Sequence, residues 1–408
     1  MIQLFIPLLY FIHTAHGLSL QQAFEASLKN EDVQSAQLNI EKNKIQKKLA
    51  ISAVLPTLEI RGVYTKQQEA AVFSRGFGQS NQRTLQLSLS QPIFQGFKEF
   101  RALELTNINI ETSKHQFESS RLEIYLLVIQ SYFNIIFLEK ESLHLEKLKE
   151  LYSERVQFLR KRVKIGRSRK SELYSAQSSL ANVEVERENL KTALSNEKAN
   201  LKYLTKLDAY PTASERNEDI KLSQLPYYLG KIEEHPKIQA LNKQVQASEK
   251  SISITKSDYW PNLSLGSNYY FERGGALSEV KWDVSVNLSY PIFEGGKTNY
   301  ELQTAVTQKT QSTLELHKIK NELSKNISLL YQDIENGLKR NLLQKKSAEI
   351  NELKLKELKS EYQLSLVTNL EVLQALNDFI QSKRDLNKIK YENIINYYSL
   401  KTLTGEWD

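Results

Sequence analysis

The stretch Ser88-Leu89-Ser90-Gln91-Pro92-Ile93-Phe94-Gln95-Gly96 decides the fold, because it occurs twice. Its second copy is Asn287-Leu288-Ser289-Tyr290-Pro291-Ile292-Phe293-Glu294-Gly295-Gly296. An alternating apolar/polar run precedes each copy, and a long proline-free run follows it. Alternation at period two reads as a strand. Proline removes a ladder donor, and glycine lets the chain turn into a helix. Pro92, Gly96, Pro291, Gly295 and Gly296 are therefore expected as strand-to-helix switches, with the ladder ending at each proline.

A shift of 199 residues carries Pro92 onto Pro291, Tyr132 onto Tyr331 and Ala176 onto Ala375. Upstream the shift is 205, with Pro56 falling on Pro261. The difference falls between the strand-like runs, where loop length can vary. The chain is a tandem repeat.

Working outward, residues 1–17 hold an apolar run, Ile2 to Ile12, then Ala15-His16-Gly17. This pattern is expected to be a secretory signal peptide, too short to span a bilayer. The first repeat is expected over 18–205: a helix over 20–54, strands 57–66 and 84–91, a long helix 97–165 and a return helix 168–205. A polar loop containing Gly76 and Gly78 joins its strands. A connector with Pro211 and Pro226 fills 206–229. The second repeat, 230–405, has a helix over about 230–258, strands 262–271 and 282–290, a long helix 297–364 and a return helix 367–404.

Each long run would measure about 100 Å as a helix, so it must pack lengthwise in a coiled-coil manner. The two shorter helices, laid end to end, match one long one. Leu122 to Leu138 is apolar enough to suggest a membrane span, but its counterpart Asn321 to Gly337 carries Lys325, Asn326, Asp333 and Glu335. A buried packing face satisfies both copies.

In the strands, Leu85, Leu87 and Leu89 oppose Gln86, Ser88 and Ser90, while Val284, Val286 and Leu288 oppose Asp283, Ser285 and Asn287. Trp260, Tyr290, Phe94 and Phe293 gather at one end. Lipid-facing apolar side chains, a polar lumen side and an aromatic girdle make the pattern of a membrane barrel. Backbone in lipid cannot stay unpaired, and single-chain barrels begin at about eight strands. Strands from several copies must then share one barrel.

The totals exclude other classes. Mean hydropathy is −0.48 and 40% of residues are hydrophobic, too polar for a helical membrane protein. Cysteine is absent, so no disulfide, thiolate metal site or lipoprotein anchor is expected. The net charge of +7 is spread over helices of both signs, which argues against a nucleic-acid face. His115, His144, His235 and His317 stand in no metal or nucleophile pattern, and no phosphate or dinucleotide loop occurs. No enzyme, cofactor or metal is expected, and transport must be passive or driven by a partner. A coiled-coil scaffold without transport explains the helices but not four lipid-type strands.

Ser90 to Gly96 and Ser289 to Gly296, preceded by Leu55-Pro56-Thr57-Leu58 and Trp260-Pro261-Asn262-Leu263, resemble the TolC-like outer-membrane efflux proteins. So do Leu18 to Ala23 and Asn369 to Ala375. The resemblance implies a homotrimer with a 12-stranded β-barrel in the Gram-negative outer membrane and an α-helical barrel in the periplasm. It implies the exit duct of a tripartite efflux pump or type I secretion system, with a periplasmic adaptor and an inner-membrane transporter as partners. It places a periplasmic gate at Glu371 and Gln374, and a hydrogen-bonded pair at Glu172 and Tyr362. Tip turns for adaptor contact fall at Gly166, Arg167, Ser365 and Leu366. Arg167, Ser365 and Val367 depart from the usual residues there.

Overall fold

The computed structural model describes residues 17–66, 81–212, 220–275 and 277–405. The leader up to residue 16 and nearly all of the loop containing Gly76 and Gly78 lie outside the described residues. Two compact units divide the chain. One comprises Ser35–Glu118 and Pro236–Asn321, the other Met1–Gln34, Ser119–His235 and Glu322–Asp408.

The first of these holds one antiparallel sheet, β1 (Thr57–Lys66), β2 (Asn81–Gln95), β3 (Asn262–Arg273) and β4 (Trp282–Ser289), in the order β1-β2-β3-β4. Each repeat contributes a strand pair, and β2 meets β3 at the junction between copies. β2 corrects the expected span of 84–91. It runs through Pro92, which lies opposite Ser264, and a register shift follows between Pro92 and Phe94. Pairing with β1 ends at Ser90, so beyond it one side of β2 needs no N–H. The irregularity after Pro92 absorbs the rest. In the second copy β4 stops at Ser289, before Pro291 and one residue short of the expected end at 290.

The helices are α1 (Leu20–Ser27), α2 (Glu31–Ser52), α3 (Lys98–Lys164), α4 (Lys170–Thr205), α5 (Leu225–Gly230), α6 (Pro236–Thr255), α7 (Lys297–Gln363) and α8 (Asn369–Leu403). α3 and α7 each have 67 residues, and the shift of 199 carries both ends of one onto the other.

The expected single helix over 20–54 is two helices. The first ends at Ser27, and after a short turn the Asn30 side chain accepts the N–H of Asp32 at 3.0 Å, starting the second. The shift of 205 puts the same break at His235, held extended before Pro236. Accordingly the expected helix from about 230 begins earlier, as α5 inside the connector, with Pro226 in its first turn.

In the second unit, Leu145, Leu148, Tyr152, Val156 and Leu159 of α3 recur at steps of three and four. They pack with Ala176 and Val183 of α4, Leu355 and Tyr362 of α7, and Val372 and Leu376 of α8. This is a coiled-coil seam. A neighbouring cluster joins Tyr125, Ile129, Phe133 and Ile136 of α3 to Tyr391 and Ile394 of α8. The apolar stretch from Leu122 is thus a packing face: Leu122, Val128, Ile129 and Ile135 are all buried.

Candidate functional site

In the sheet, register and alternation together sort the side chains onto two faces. Glu59, Ser88, Asn268 and Asp283 align across all four strands. Ser88 donates to Asn268 at 2.8 Å, and the Asn268 amide donates to Asp283 at 2.8 Å. Tyr270 donates to the other Asp283 oxygen at 2.8 Å, and Gln86 bonds Ser88 at 2.8 Å. On the opposite face Ile60, Leu87, Tyr269 and Trp282 form the next row. That face is bare: Ile60 is 71% exposed, Val286 68% and Leu288 69%. Trp260, Tyr290 and Phe293 stand exposed at the end where β3 starts. Both outer strands, β1 and β4, have one partner and one open edge among the described residues.

The two switches differ in their surroundings. Gly96 has φ +66°, and a Cβ there would meet the Ser257 carbonyl oxygen at 2.5 Å and Trp260 Cβ at 2.9 Å. Arg101 fastens this corner, donating to the Ser253 carbonyl at 2.9 Å and to Ser257 at 2.7 Å. Gly295 has a similar φ of +64°, yet nothing within 4 Å would meet its Cβ.

The other unit carries the helical turns. α3 ends at Gly166, φ +72°, with Arg167 N–H bonded to the Arg162 carbonyl at 2.8 Å and Gly166 N–H to Val163 at 3.1 Å. α7 ends in the same way at Ser365, φ +64°, with Leu366 N–H bonded to Glu361 at 3.0 Å and Ser365 N–H to Tyr362 at 3.1 Å. Both are Schellman turns, and the repeat shift superposes them.

Glu371 stands in the first turn of α8 in a capping box. Its Oε2 accepts the Thr368 N–H at 2.6 Å and the Thr368 hydroxyl at 2.7 Å, which lowers its pKa. Gln374 donates to Asp378 at 2.8 Å, and Asp378 pairs with Lys354 at 2.9 Å.

Among the described residues no bond joins Glu172 to Tyr362. Glu172 accepts from Ser168 instead, while the buried Tyr362 ring has the Arg155 guanidinium 3.9 Å from its centroid and Arg162 at 5.1 Å. Arg155 also donates to Asn369 at 2.6 Å. Its burial lowers its pKa, while Tyr362 and Glu172 both act electrostatically to raise it. Arg155 thus meets both the Tyr362 ring of α7 and Asn369 of α8, with the Glu172 charge acting on it. Sequence reading passes over it, although Tyr152, Arg155, Leu159 and Arg162 keep steps of three and four along one face.

A sheet with one bare apolar face, a polar ladder behind it and two open edges, joined to very long helices, defines an outer-membrane channel component. The chain belongs to the outer membrane efflux protein family, whose model matches residues 24–205 and 231–406. It is an outer-membrane protein of Gram-negative type that extends into the periplasm. Outer membrane efflux protein BepC of Brucella suis biovar 1 (strain 1330) is 19% identical over 330 residues, covering 79% of this chain and 72% of the relative. The fold matches the Campylobacter jejuni CmeC outer membrane channel with TM-score 0.83 at 17% identity, over 98% of this chain and 90% of that one. It matches the open state of the Neisseria gonorrhoeae MtrE outer membrane channel with TM-score 0.78 at 15% identity, over 96% and 89%.

Proposed function

We infer that three copies of the chain close one β-barrel and serve as the passive exit duct of a tripartite efflux pump or type I secretion system. The observation that carries this reading is the four-stranded sheet with an apolar face and two unpaired edges. Such a sheet cannot stand alone in lipid, where every backbone group needs a partner. Further copies supply those partners without any other protein. The polar ladder through Ser88, Asn268 and Asp283 then lines the lumen. A periplasmic adaptor and an inner-membrane transporter supply the drive and engage the turns at Gly166, Arg167, Ser365 and Leu366.

Glu371 and Gln374 are assigned to the periplasmic gate. Three Glu371 carboxylates around a narrow axis would repel one another and attract cations. Glu371→Gln is expected to reduce cation selectivity in bilayer recordings, and unchanged selectivity removes Glu371 from the gate. The whole reading is tested by purifying the full chain from outer-membrane fractions in detergent. Heat-modifiable trimers that conduct ions across a planar bilayer are expected. A monomer that carries no current would overturn it.

A further inference from the structure

The turn between α3 and α4 carries charge that the chain itself leaves unmatched. From Arg160 to Lys170, seven of eleven residues are basic and none is acidic. The repeat counterpart, Lys359 to Asn369, has one lysine and one glutamate. Geometry does not separate the two turns, since both are the same Schellman motif, so the basic run is not needed to build one.

Elsewhere on these helices many cations are paired, as in Lys147–Glu150 at 2.9 Å and Arg187–Glu146 at 2.7 Å. Arg160, Lys161, Lys164, Arg167, Arg169 and Lys170 have no ion pair among the described residues. All six are exposed, as is Ile165. Arg162 lines two clefts here, one with Ile165 and Arg167, the other with Arg167, Arg169 and a single carboxylate, Glu172. Buried nitrogens of Arg155 and Arg162 lack hydrogen-bond partners among the described residues. Beside the basic turn, Leu364, Leu366 and Leu370 are each at least 70% exposed.

We propose that this tip is a docking surface for an acidic segment of the periplasmic partner, with carboxylates meeting Arg162, Arg167 and Arg169 and apolar side chains meeting Leu364 and Leu366. The proposal rests on the duct reading for the existence of that partner and adds its chemistry. Unpaired guanidinium groups favour a carboxylate in planar, bidentate geometry. Like-charged partners are repelled, so the basic run also selects against basic segments. A neighbouring copy of this chain is the rival occupant, because Glu357 and Glu361 lie near the other turn in sequence.

The test places a photo-crosslinking amino acid at Ile165 in the full chain, in its native envelope, and sequences the captured segment. The expected capture is a segment of another envelope protein with net negative charge. Arg167→Glu/Arg169→Glu/Lys170→Glu should reduce capture about tenfold or more, whereas Arg167→Lys/Arg169→Lys/Lys170→Arg should retain it. Capture of a neutral or basic segment, of a second copy of this chain, or of nothing overturns the proposal. So does capture indifferent to charge reversal. Ion conductance by the wild-type trimer is measured separately. Its absence counts against the duct, while the captured sequence alone judges the charge assignment.

Discussion

The amide of Asn393 on α8 lies directly over the backbone of Gly337 on α7, so close that a Cβ at position 337 would stand 1.8 Å from Asn393 Oδ1. Gly337 is the one glycine inside either long helix. Alanine there would gain about 1 kcal/mol of helix propensity but overpack the contact at a cost of roughly 1–3 kcal/mol. Asn393 is 3% exposed and has little room to withdraw. Gly337→Ala is therefore expected to lower thermal stability. In an Asn393→Ala background the same change should raise it. Thermal unfolding of the four proteins in detergent decides, and equal effects in both backgrounds would remove close packing as the reason for the glycine.

The two Schellman turns form a natural comparison. A Cβ added at Gly166 would meet nothing within 4 Å, so the requirement there is conformational rather than steric. Ser365 holds the same left-handed backbone with a side chain, at φ +64°. Ser365→Gly should stabilise the chain by roughly 0.5–1 kcal/mol, and Gly166→Ser should destabilise it by a similar amount. Melting temperatures that move together in one direction would show that the turns are not equivalent.

Strand and long-helix positions are legible because each rests on a local rule repeated twice. Alternation from Thr57 to Tyr64 marks β1, and the absence of proline marks α3 and α7. Where sequence reading fails, the deciding fact is a partner. Pro92 reads as a stop, but its strand is already free of β1 at that point. The break at Asn30 hides because Leu28 and Val33 keep the apolar spacing across it, and only the side-chain bond to Asp32 reveals the restart. At the tip, the family resemblance points to Glu172 and Tyr362, and both do line one cleft. Arg155, which stands against the Tyr362 ring, sits seven residues before Arg162 in a run of ordinary helix formers, and its burial cannot be read from spacing alone.

Arg384 of α8 joins two acidic residues on different helices, Glu141 of α3 and Glu186 of α4, the latter at 2.7 Å. Glu141 is 5% exposed, so it depends on this partner. Arg384→Met would leave its charge buried and unpaired, at an expected cost of about 3–5 kcal/mol. Adding Glu141→Gln should recover most of that loss, since a buried pair often contributes little over a neutral replacement. Chemical denaturation of the single and double variants distinguishes the cases. A double variant as unstable as the single one would show that packing, not charge, is what Arg384 supplies.

His144, on the same stretch of α3, sets a pH dependence. Burial holds its pKa below the ordinary histidine value, with Arg384, Lys383 and Lys140 adding to the effect and Glu141 opposing it. The unfolded chain takes up a proton near pH ~6.5, while the folded chain resists until a lower pH. The stability held above pH ~6.5 is therefore lost progressively as pH falls toward the folded-state value, and no further below it. His144→Gln should flatten the melting-temperature profile between about pH 7 and 5. A profile unchanged by that substitution would assign the acid sensitivity to other groups.

The repeat also specifies how one copy's β4 should pair with the next copy's β1. Within the chain, β2 pairs with β3 so that Ser88 faces Asn268 and Leu87 faces Tyr269. The shift of 199 carries β2 onto β4, and the shift of 205 carries β1 onto β3. The equivalent contact between copies then sets Asn287 opposite Val63 and Val286 opposite Tyr64. Faces agree, because Val63 shares the face of Glu59 and Arg61 as Asn287 shares that of Asp283, while Val286 and Tyr64 lie on the apolar face. The chain has no cysteine, so Val63→Cys/Asn287→Cys can be read without background. Inside one copy these strands stand about 14 Å apart, beyond the ~7 Å reach of a disulfide, so any bridge must run between copies. Oxidation should yield a covalent trimer on a non-reducing gel. Tyr64→Cys/Asn287→Cys should not cross-link, because a slip of one residue puts its thiols on opposite faces of the barrel wall. Efficient bridging by that second variant, or none by the first, would break the symmetry between the internal and external seams.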